Sequence, residues 1–366
     1  MSTKSKSILI VCNYYHPYRS GLSYVAMVLA EELATLGLEV TVLCHKHQEN
    51  LKHYEVIDGV TIHRAKPLFR ISRAIFSLDF FIKYFHLRKD KDYINLHLPM
   101  PEAGLLRKQQ GQKLITTYQC DVPKNSPTMS SIAFLMDISS KMAFENSDSV
   151  VFSTLDYMRS SRISGFASEK SVEIFPFSNS QISSAPLFQN REGRNFGYLG
   201  RFTSEKGALF LISAFRNAAS PDDRLLLAGS SKVAGDSVFE KVKEEASRDS
   251  RIILLSDISD SDIPKFYASL SVFCFPSLNS FEAFGIAQVE AILADVPVLS
   301  SDLPGVRVPV NMTGMGQVLP IGDLQAWEYA IRDFDRNSFP PSISKEHKEL
   351  FSVSTAMKKY LELFDQ

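Results

Sequence analysis

The chain has 366 residues, 45% of them hydrophobic and 22% charged, and its 40 basic and 41 acidic side chains leave a formal charge of -1. That length favours two domains, each able to bury a core, and the composition excludes a disordered or fibrous chain. The balanced charge supplies no global field for nucleic acid, so any phosphate site must be local.

Met1 to Ser7 is polar, and the apolar run Ile8 to Cys12 that follows is strand-like and lacks the small-residue cleavage site of a signal peptide. With no apolar stretch of about eighteen residues to span a membrane, a cytoplasmic location is expected. The cysteines Cys12, Cys44, Cys120 and Cys274 are widely spaced and lie in or beside apolar runs. Such thiols are expected to act as small buried hydrophobes and not as metal ligands or disulfides. Asn311-Met312-Thr313 fits the glycosylation acceptor pattern but has no secretion signal to go with it.

After the first strand comes a loop, Asn13 to Gly21, then a helix carrying Val25, Val28, Leu29, Leu33 and Leu36 at helical spacing, ended by Gly37. The strand Glu39 to Leu43 follows, and strand, helix, strand in this order predicts a parallel sheet. Short apolar runs at Tyr93 to Leu98, Lys113 to Tyr118 and Ser149 to Phe152 continue the pattern. Pro176 to Gly193 has the Ser, Asn, Gln and Pro content of a linker. Beyond it the predicted elements are the strand Asn195 to Leu199, a helix over Ala208 to Ala219, the strand Arg224 to Ala228 and a helix over Val238 to Ala246. The strand Arg251 to Leu255, a helix over Asp262 to Leu270 and the strand Val272 to Phe275 complete a second parallel sheet. The predicted domains are 1–180 and 190–350, with the terminal helix Ser354 to Phe364 packing back on the first.

Two loops carry the chemistry. Gly200-Arg201 to Lys206-Gly207 offers two cations after a strand, where open parallel sheets bind ligands. Pro276 to Gly285 leads from a strand to a helix whose N-terminus suits phosphate, with Gly285 permitting close approach. Glu290 lies eight positions after Glu282, about 12 Å if both ride one helix at about 1.5 Å per residue. That is too far for the acid and nucleophile pair of a retaining hydrolase, at about 5 Å, but suits two ends of one extended ligand.

These two stretches, Gly-Arg…Glu-Lys-Gly at 200–207 and the Glu, seven residues, Glu pattern at Glu282 and Glu290, resemble the retaining glycosyltransferases of family four. Pro297 to Gly305 is similar to the strand and loop that follow in that family. The resemblance covers most of the chain. It implies a GT-B fold, an α/β architecture of two facing Rossmann-like domains, and transfer of a hexose-type sugar from a nucleotide-diphosphate donor to a glycan or lipid-linked acceptor, as in bacterial surface polysaccharide or lipopolysaccharide synthesis. It also implies that Arg201 and Lys206 neutralise the diphosphate, that Glu290 holds the ribose hydroxyls and that Glu282 contacts the sugar hydroxyls. Backbone amides at Phe284 and Gly285 complete the phosphate site, and Gly21 approaches it from the loop after the first strand. The resemblance also places His97, at the end of its strand, near the transferred sugar, where the residues alone would give a hydrogen-bonded histidine at a strand end. At Thr117-Tyr118-Gln119-Cys120-Asp121, Gln119 replaces the usual histidine, and since Gln does not titrate, Asp121 is left as the polar contact. The catalytic candidates are Glu282, His97 and Asp121. Retention in this family is assigned to a same-face displacement in which a phosphate oxygen takes the acceptor proton.

No metal or other cofactor is expected. Asp90-Lys91-Asp92, Asp260-Ser261-Asp262 and Asp333-Phe334-Asp335 match the metal-binding letters Asp-x-Asp. The first precedes a strand, the second opens a predicted helix and the third sits in a helical stretch, and cations with a helix N-terminus do the metal's work. Tyr14, Tyr15, His16, Tyr18 and Arg19 would either line the acceptor side, where aromatic faces suit sugar rings, or form a tyrosine-rich surface loop without a ligand. From Pro67 to Lys89, Phe69, Ile71, Ile75, Phe76, Leu78, Phe80, Phe81, Ile82 and Phe85 alternate with Arg70, Arg73, Lys83, Arg88 and Lys89. That segment fits either peripheral contact with an anionic membrane or a helix pair packed on the first sheet. Donor base and sugar are not legible: the resemblance implies that the base is read by backbone in a segment such as Leu255 to Ile258, and Asp257 stands there where the family often has glycine. A dinucleotide oxidoreductase would need Gly-x-Gly-x-x-Gly in the loop 13–21, which lacks it. A non-catalytic sugar-nucleotide-binding protein would use the same residues and remains the alternative.

Overall fold

The computed structural model describes residues 5–18, 20–71, 74–124, 126–178, 183, 185–189, 192–231 and 237–365. Arg19, Arg73 and parts of the expected linker lie outside them, as do the side chains of Arg70 and Ile71. The chain forms two compact units, one of Met1–Pro176 with Ser354–Gln366 and one of Phe177–Val353.

The first unit is built on strands β1 (Ser7–Val11), β2 (Glu39–His45), β3 (Tyr54–Ile57), β4 (Val60–Ala65), β5 (Phe69–Ile71), β6 (Ala74–Phe76), β7 (Tyr93–Leu98), β8 (Lys113–Tyr118), β9 (Ser149–Phe152) and β10 (Ser171–Glu173). Eight of them make one sheet in the order β10-β9-β8-β7-β1-β2-β4-β3, parallel except where β3 runs antiparallel to β4. β1 and β7 are buried along their whole length, as parallel strands covered on both faces must be. Order reverses beside β1, so the loops after β1 and β7 open on a switch point at the carboxyl edge, where such sheets hold ligands. Asn13 Nδ2 donates to the Pro99 carbonyl at 2.8 Å and joins those two loops.

The terminal helix Val353–Asp365 groups with this unit from Ser354 onward. Tyr360 and Thr117 share a hydroxyl hydrogen bond of 3.1 Å, and the Phe364 ring stacks on Tyr93 at 4.8 Å. Of Pro67 to Lys89, one part is a β5–β6 hairpin and Leu78–Leu87 is an α-helix, so hairpin and helix stand where a helix pair was one of the two readings. The long helix Pro127–Asn146 is an element the sequence reading did not place.

The second unit carries β11 (Asn195–Leu199), β12 (Arg224–Gly229), β13 (Ile252–Ser256), β14 (Val272–Phe275), β15 (Val298–Ser301) and β16 (Gly316–Leu319). The sheet order β13-β12-β11-β14-β15-β16 reverses between β11 and β14, and every described pair is parallel. Strand alternation sorts the core into two layers. Leu225 and Leu227 of β12 pack with Phe215 and Trp327 on one face, while Leu226 packs with Phe266 and Ile292 on the other. The four cysteines are buried thiols not joined in disulfides. Among the described residues no helix is long and apolar enough to cross a membrane.

Candidate functional site

In the second unit the two sequence motifs leave β11 and β14, the neighbouring strands at the switch point. Tyr198, buried at the end of β11, donates to the Arg201 carbonyl at 2.8 Å and so folds the loop back. Gly207, at φ 73, ends that loop and opens the helix Ala208–Ala218. The loop after β14 is tied to it by Leu278 N donating to the Glu205 carbonyl at 2.8 Å. These backbone ties bring the side chains together: Lys206 Nζ forms an ion pair with Glu282 Oε2, and lies 5.7 Å from the centre of the Phe275 ring. Arg201 Nη2 lies 3.6 Å from Glu205 Oε1.

Glu282 is not on the helix that carries Glu290. It sits in a turn closed by Glu282 N on the Asn279 carbonyl at 3.3 Å, and the helix runs from Ile286 to Leu293. The 12 Å helical estimate therefore fails: Gly285, at φ 87, breaks the helix between the two carboxylates. A β-carbon on Gly285 would stand 2.7 Å from the Phe275 ring, so backbone approaches ring here as only glycine allows. No side chain caps this helix. Behind it the buried Gln288 donates from Nε2 to the carbonyls of Phe284 at 2.5 Å and Val306 at 2.8 Å, and accepts from Ser300 Oγ at 2.9 Å. The Phe284–Gly285 turn is thereby locked to the end of β15.

Glu290 is held from two sides, by Tyr267 OH on Oε2 and Ser178 Oγ on Oε1, each at 2.9 Å. Burial, and next the charge of Glu290, push the Tyr267 phenol well up, so it stays a donor. Neither partner was legible in the sequence: Ser178 falls in the expected linker and Tyr267 in a short helix far along the chain.

In the first unit His97 is 4% exposed, and burial alone pushes its ring down to about 3. Its Nδ1 lies 3.0 Å from Gln119 Nε2. Gly21 is the first residue of the helix Gly21–Thr35, capped by Ser20, with open space around its Cα. Asp121 is different. Its Oδ1 accepts from Tyr118 OH at 2.6 Å and Ser161 Oγ at 2.7 Å, and its Oδ2 lies 3.4 Å from Arg162 Nη1. A carboxylate so engaged braces the loop that follows β8.

The aromatic loop is engaged by the protein: Tyr14 stacks on Tyr18 at 4.3 Å, Tyr15 is buried and His16 Nε2 meets Glu31 Oε1 of the following helix at 2.9 Å. The Asp-x-Asp carboxylates also have local duties. Asp92 accepts from Ser7 N at 2.8 Å, Asp262 pairs with Lys265 at 3.0 Å and Asp335 accepts from Asn337 N at 2.9 Å. Asp333 follows the helix Leu324–Arg332 and does not lie within it as expected. Asp257, at φ 57, accepts from Ser231 N at 3.1 Å.

Residues 180–349 match the family model described as glycosyl transferases group 1. The O-antigen chain mannosyltransferase C of Escherichia coli is 24% identical over 96% of this chain and 95% of its own length. Sucrose-phosphate synthase from Thermosynechococcus elongatus superposes with a TM-score of 0.79 at 21% identity, covering 99% of this chain and 98% of its own. The HepE protein of Anabaena, solved in complex with UDP and glucose, superposes with a TM-score of 0.73 at 16% identity, covering 98% and 99%. The fold is thus that of the GT-B glycosyltransferases, with two parallel-sheet Rossmann-like units.

Proposed function

We propose that this chain, with its glycosyl transferases group 1 region at 180–349, is a retaining, metal-independent hexosyltransferase of family four. Its donor is a nucleoside diphosphate sugar and its acceptor a glycan or lipid-linked saccharide of bacterial surface polysaccharide or lipopolysaccharide synthesis. The observation that carries the reading is the meeting of Lys206 and Glu282 at the switch point of the second sheet. A cation there, with Arg201 and the uncapped helix start at Gly285, suits the diphosphate leaving group, whose growing negative charge is the largest electrostatic demand of the reaction. Glu290 suits the ribose hydroxyls, with Tyr267 and Ser178 presenting its carboxylate. The diphosphate draws Lys206 away from Glu282, and this frees the carboxylate to accept from hydroxyls of the transferred sugar. Anchoring of the departing phosphates beside the sugar fits a same-face displacement in which a phosphate oxygen takes the acceptor proton.

The relative in O-antigen synthesis supports a saccharide acceptor, and the UDP-bound neighbour supports a nucleotide donor. A cytoplasmic enzyme resting on the inner face of the cell membrane would meet both. The test is transfer and sugar release from a panel of nucleotide sugars, with Glu282→Ala beside the parent chain. Turnover that vanishes in Glu282→Ala while nucleotide still binds is expected. Binding without turnover by the parent on every donor and acceptor would favour a sugar-nucleotide-binding protein.

A further inference from the structure

Gln119 decides which proton His97 carries. A ring nitrogen near an amide leaves the histidine tautomer open when the amide itself can be turned round. Here a third group settles the amide. The Gln119 nitrogen that lies 3.0 Å from His97 Nδ1 also donates to the Leu22 carbonyl at 3.0 Å. A carbonyl only accepts, so the atom beside both partners is the NH2 group, and an NH2 group only donates. His97 Nδ1 must therefore accept, and a neutral ring must hold its proton on Nε2. That Nε2 is buried and has no protein partner among the described residues.

We propose that Gln119 is a positioning residue for His97, holding it in the neutral Nε2–H tautomer so that it meets a sugar hydroxyl oxygen as a hydrogen-bond donor and not as a base. The inference rests on the glycosyltransferase reading above. Burial keeps the ring neutral, no neighbouring charge contributes to its shift, and Gln119 cannot titrate, so the donor is constant across the working pH range. Position matters as much as tautomer. Gln119 follows β8 directly, and through Leu22 it links the end of that strand to the first turn of the helix that begins at Gly21.

Glutamate at 119 has the same shape and reverses the logic. A carboxylate accepts from Nδ1–H, which strips the proton from Nε2 and makes that atom an acceptor; it also favours the charged ring. The experiment uses the full chain with nitrogen-15 in its histidines. Ring proton to nitrogen correlations give the tautomer of His97, with its signals identified by their loss in His97→Asn. The parent is expected in the Nε2–H form and Gln119→Glu in the Nδ1–H or charged form. In transfer assays Gln119→Glu is expected to lower kcat by about 10-fold or more, to leave nucleotide affinity within about 2-fold, and to bring a new ionisation into the pH profile. Gln119→Leu, which neither donates nor accepts, serves if the glutamate chain does not fold, with mixed tautomers and reduced kcat expected. A parent ring in the Nδ1–H form would overturn the proposal, as would a reversed tautomer with unchanged kcat. Absence of transfer by the parent on every donor would instead overturn the glycosyltransferase reading, and the tautomer would still be measured.

Discussion

Gly207 lies against the carbonyl of Pro276, so closely that a β-carbon on the glycine would stand 2.1 Å from that oxygen. One motif thus seats directly on the other, and the contact sets Lys206 beside Glu282. Gly207 also holds φ 73, which L side chains adopt at a cost. Gly207→Ala combines both penalties. We expect a loss of about 2–3 kcal/mol in the stability of the second unit, measured by chemical denaturation, with a raised donor KM in whatever folded fraction remains.

Lys206→Ala and Glu282→Ala should differ in kind. On the proposed reading the lysine is the cation that meets the diphosphate in both ground and transition state, so its removal should lower nucleotide affinity and kcat together, with kcat/KM down by about 100-fold or more. The glutamate, proposed as a contact to the sugar, should on removal lower kcat while nucleotide affinity changes little. Calorimetric titration with the nucleoside diphosphate, set beside initial rates, separates the two. Equal turnover in both variants and the parent would falsify the assignment.

The alternation of strand and helix made the two sheets legible, because parallel strands buried on both faces read as short apolar runs, and the motifs marked the two loops that meet where the order of the second sheet reverses. The helix Pro127–Asn146 escaped because Ser130, Ser131, Ser139 and Ser140 interrupt its apolar positions, and Phe134 and Leu135 face outward, so no single stripe forms. The β5–β6 hairpin hid inside an apolar run too short to show a period. At the site, what was lost is what chain separation hides. Gln119 reaches Leu22 across 97 positions, and Ser178 reaches Glu290 across 112. Such pairs follow from sheet order, which local pattern does not carry.

Tyr267→Phe keeps the ring in its buried seat and removes the hydroxyl that holds Glu290 Oε2. A hydrogen bond to a charged group is worth about 1.5–3 kcal/mol. If Glu290 serves the nucleoside, the loss should appear as a donor KM raised about 10-fold with kcat nearly unchanged. Steady-state kinetics over donor concentration checks this, and a loss confined to kcat would move Glu290 from the nucleoside to the reacting sugar.

Acid should weaken the first unit through His97. The ring titrates near 6.5 in the unfolded chain and near 3 when buried. Between those values the unfolded chain takes up a proton that the folded chain refuses, so stability falls as pH drops from about 6.5 toward 3 and is full above that window. His97→Gln should remove this part of the slope. Denaturation midpoints of both chains at pH 7.5 and 5, where the parent loses more than the variant, provide the check.

Membrane contact, finally, has a defined face to test. On the helix Leu78–Leu87, Phe80 and Tyr84 point inward while Leu78, Ile82 and Phe85 share the opposite side, with Leu78 64% and Ile82 71% exposed. In the neighbouring hairpin Phe69 stacks on Phe76 at 5.3 Å, and both rings remain partly exposed, as does Leu68. Lys66 and Lys89 lie exposed at the two ends of this stretch. An apolar face with cations at its ends suits the interface of an anionic bilayer, where each buried apolar group and each lysine near the surface adds attraction. The parent chain should sediment with vesicles containing anionic lipid and release at high salt. Leu78→Asp with Ile82→Asp should abolish sedimentation and leave transfer to a water-soluble acceptor intact, since neither residue belongs to the proposed site. Sedimentation that survives the double change would assign the face to another partner.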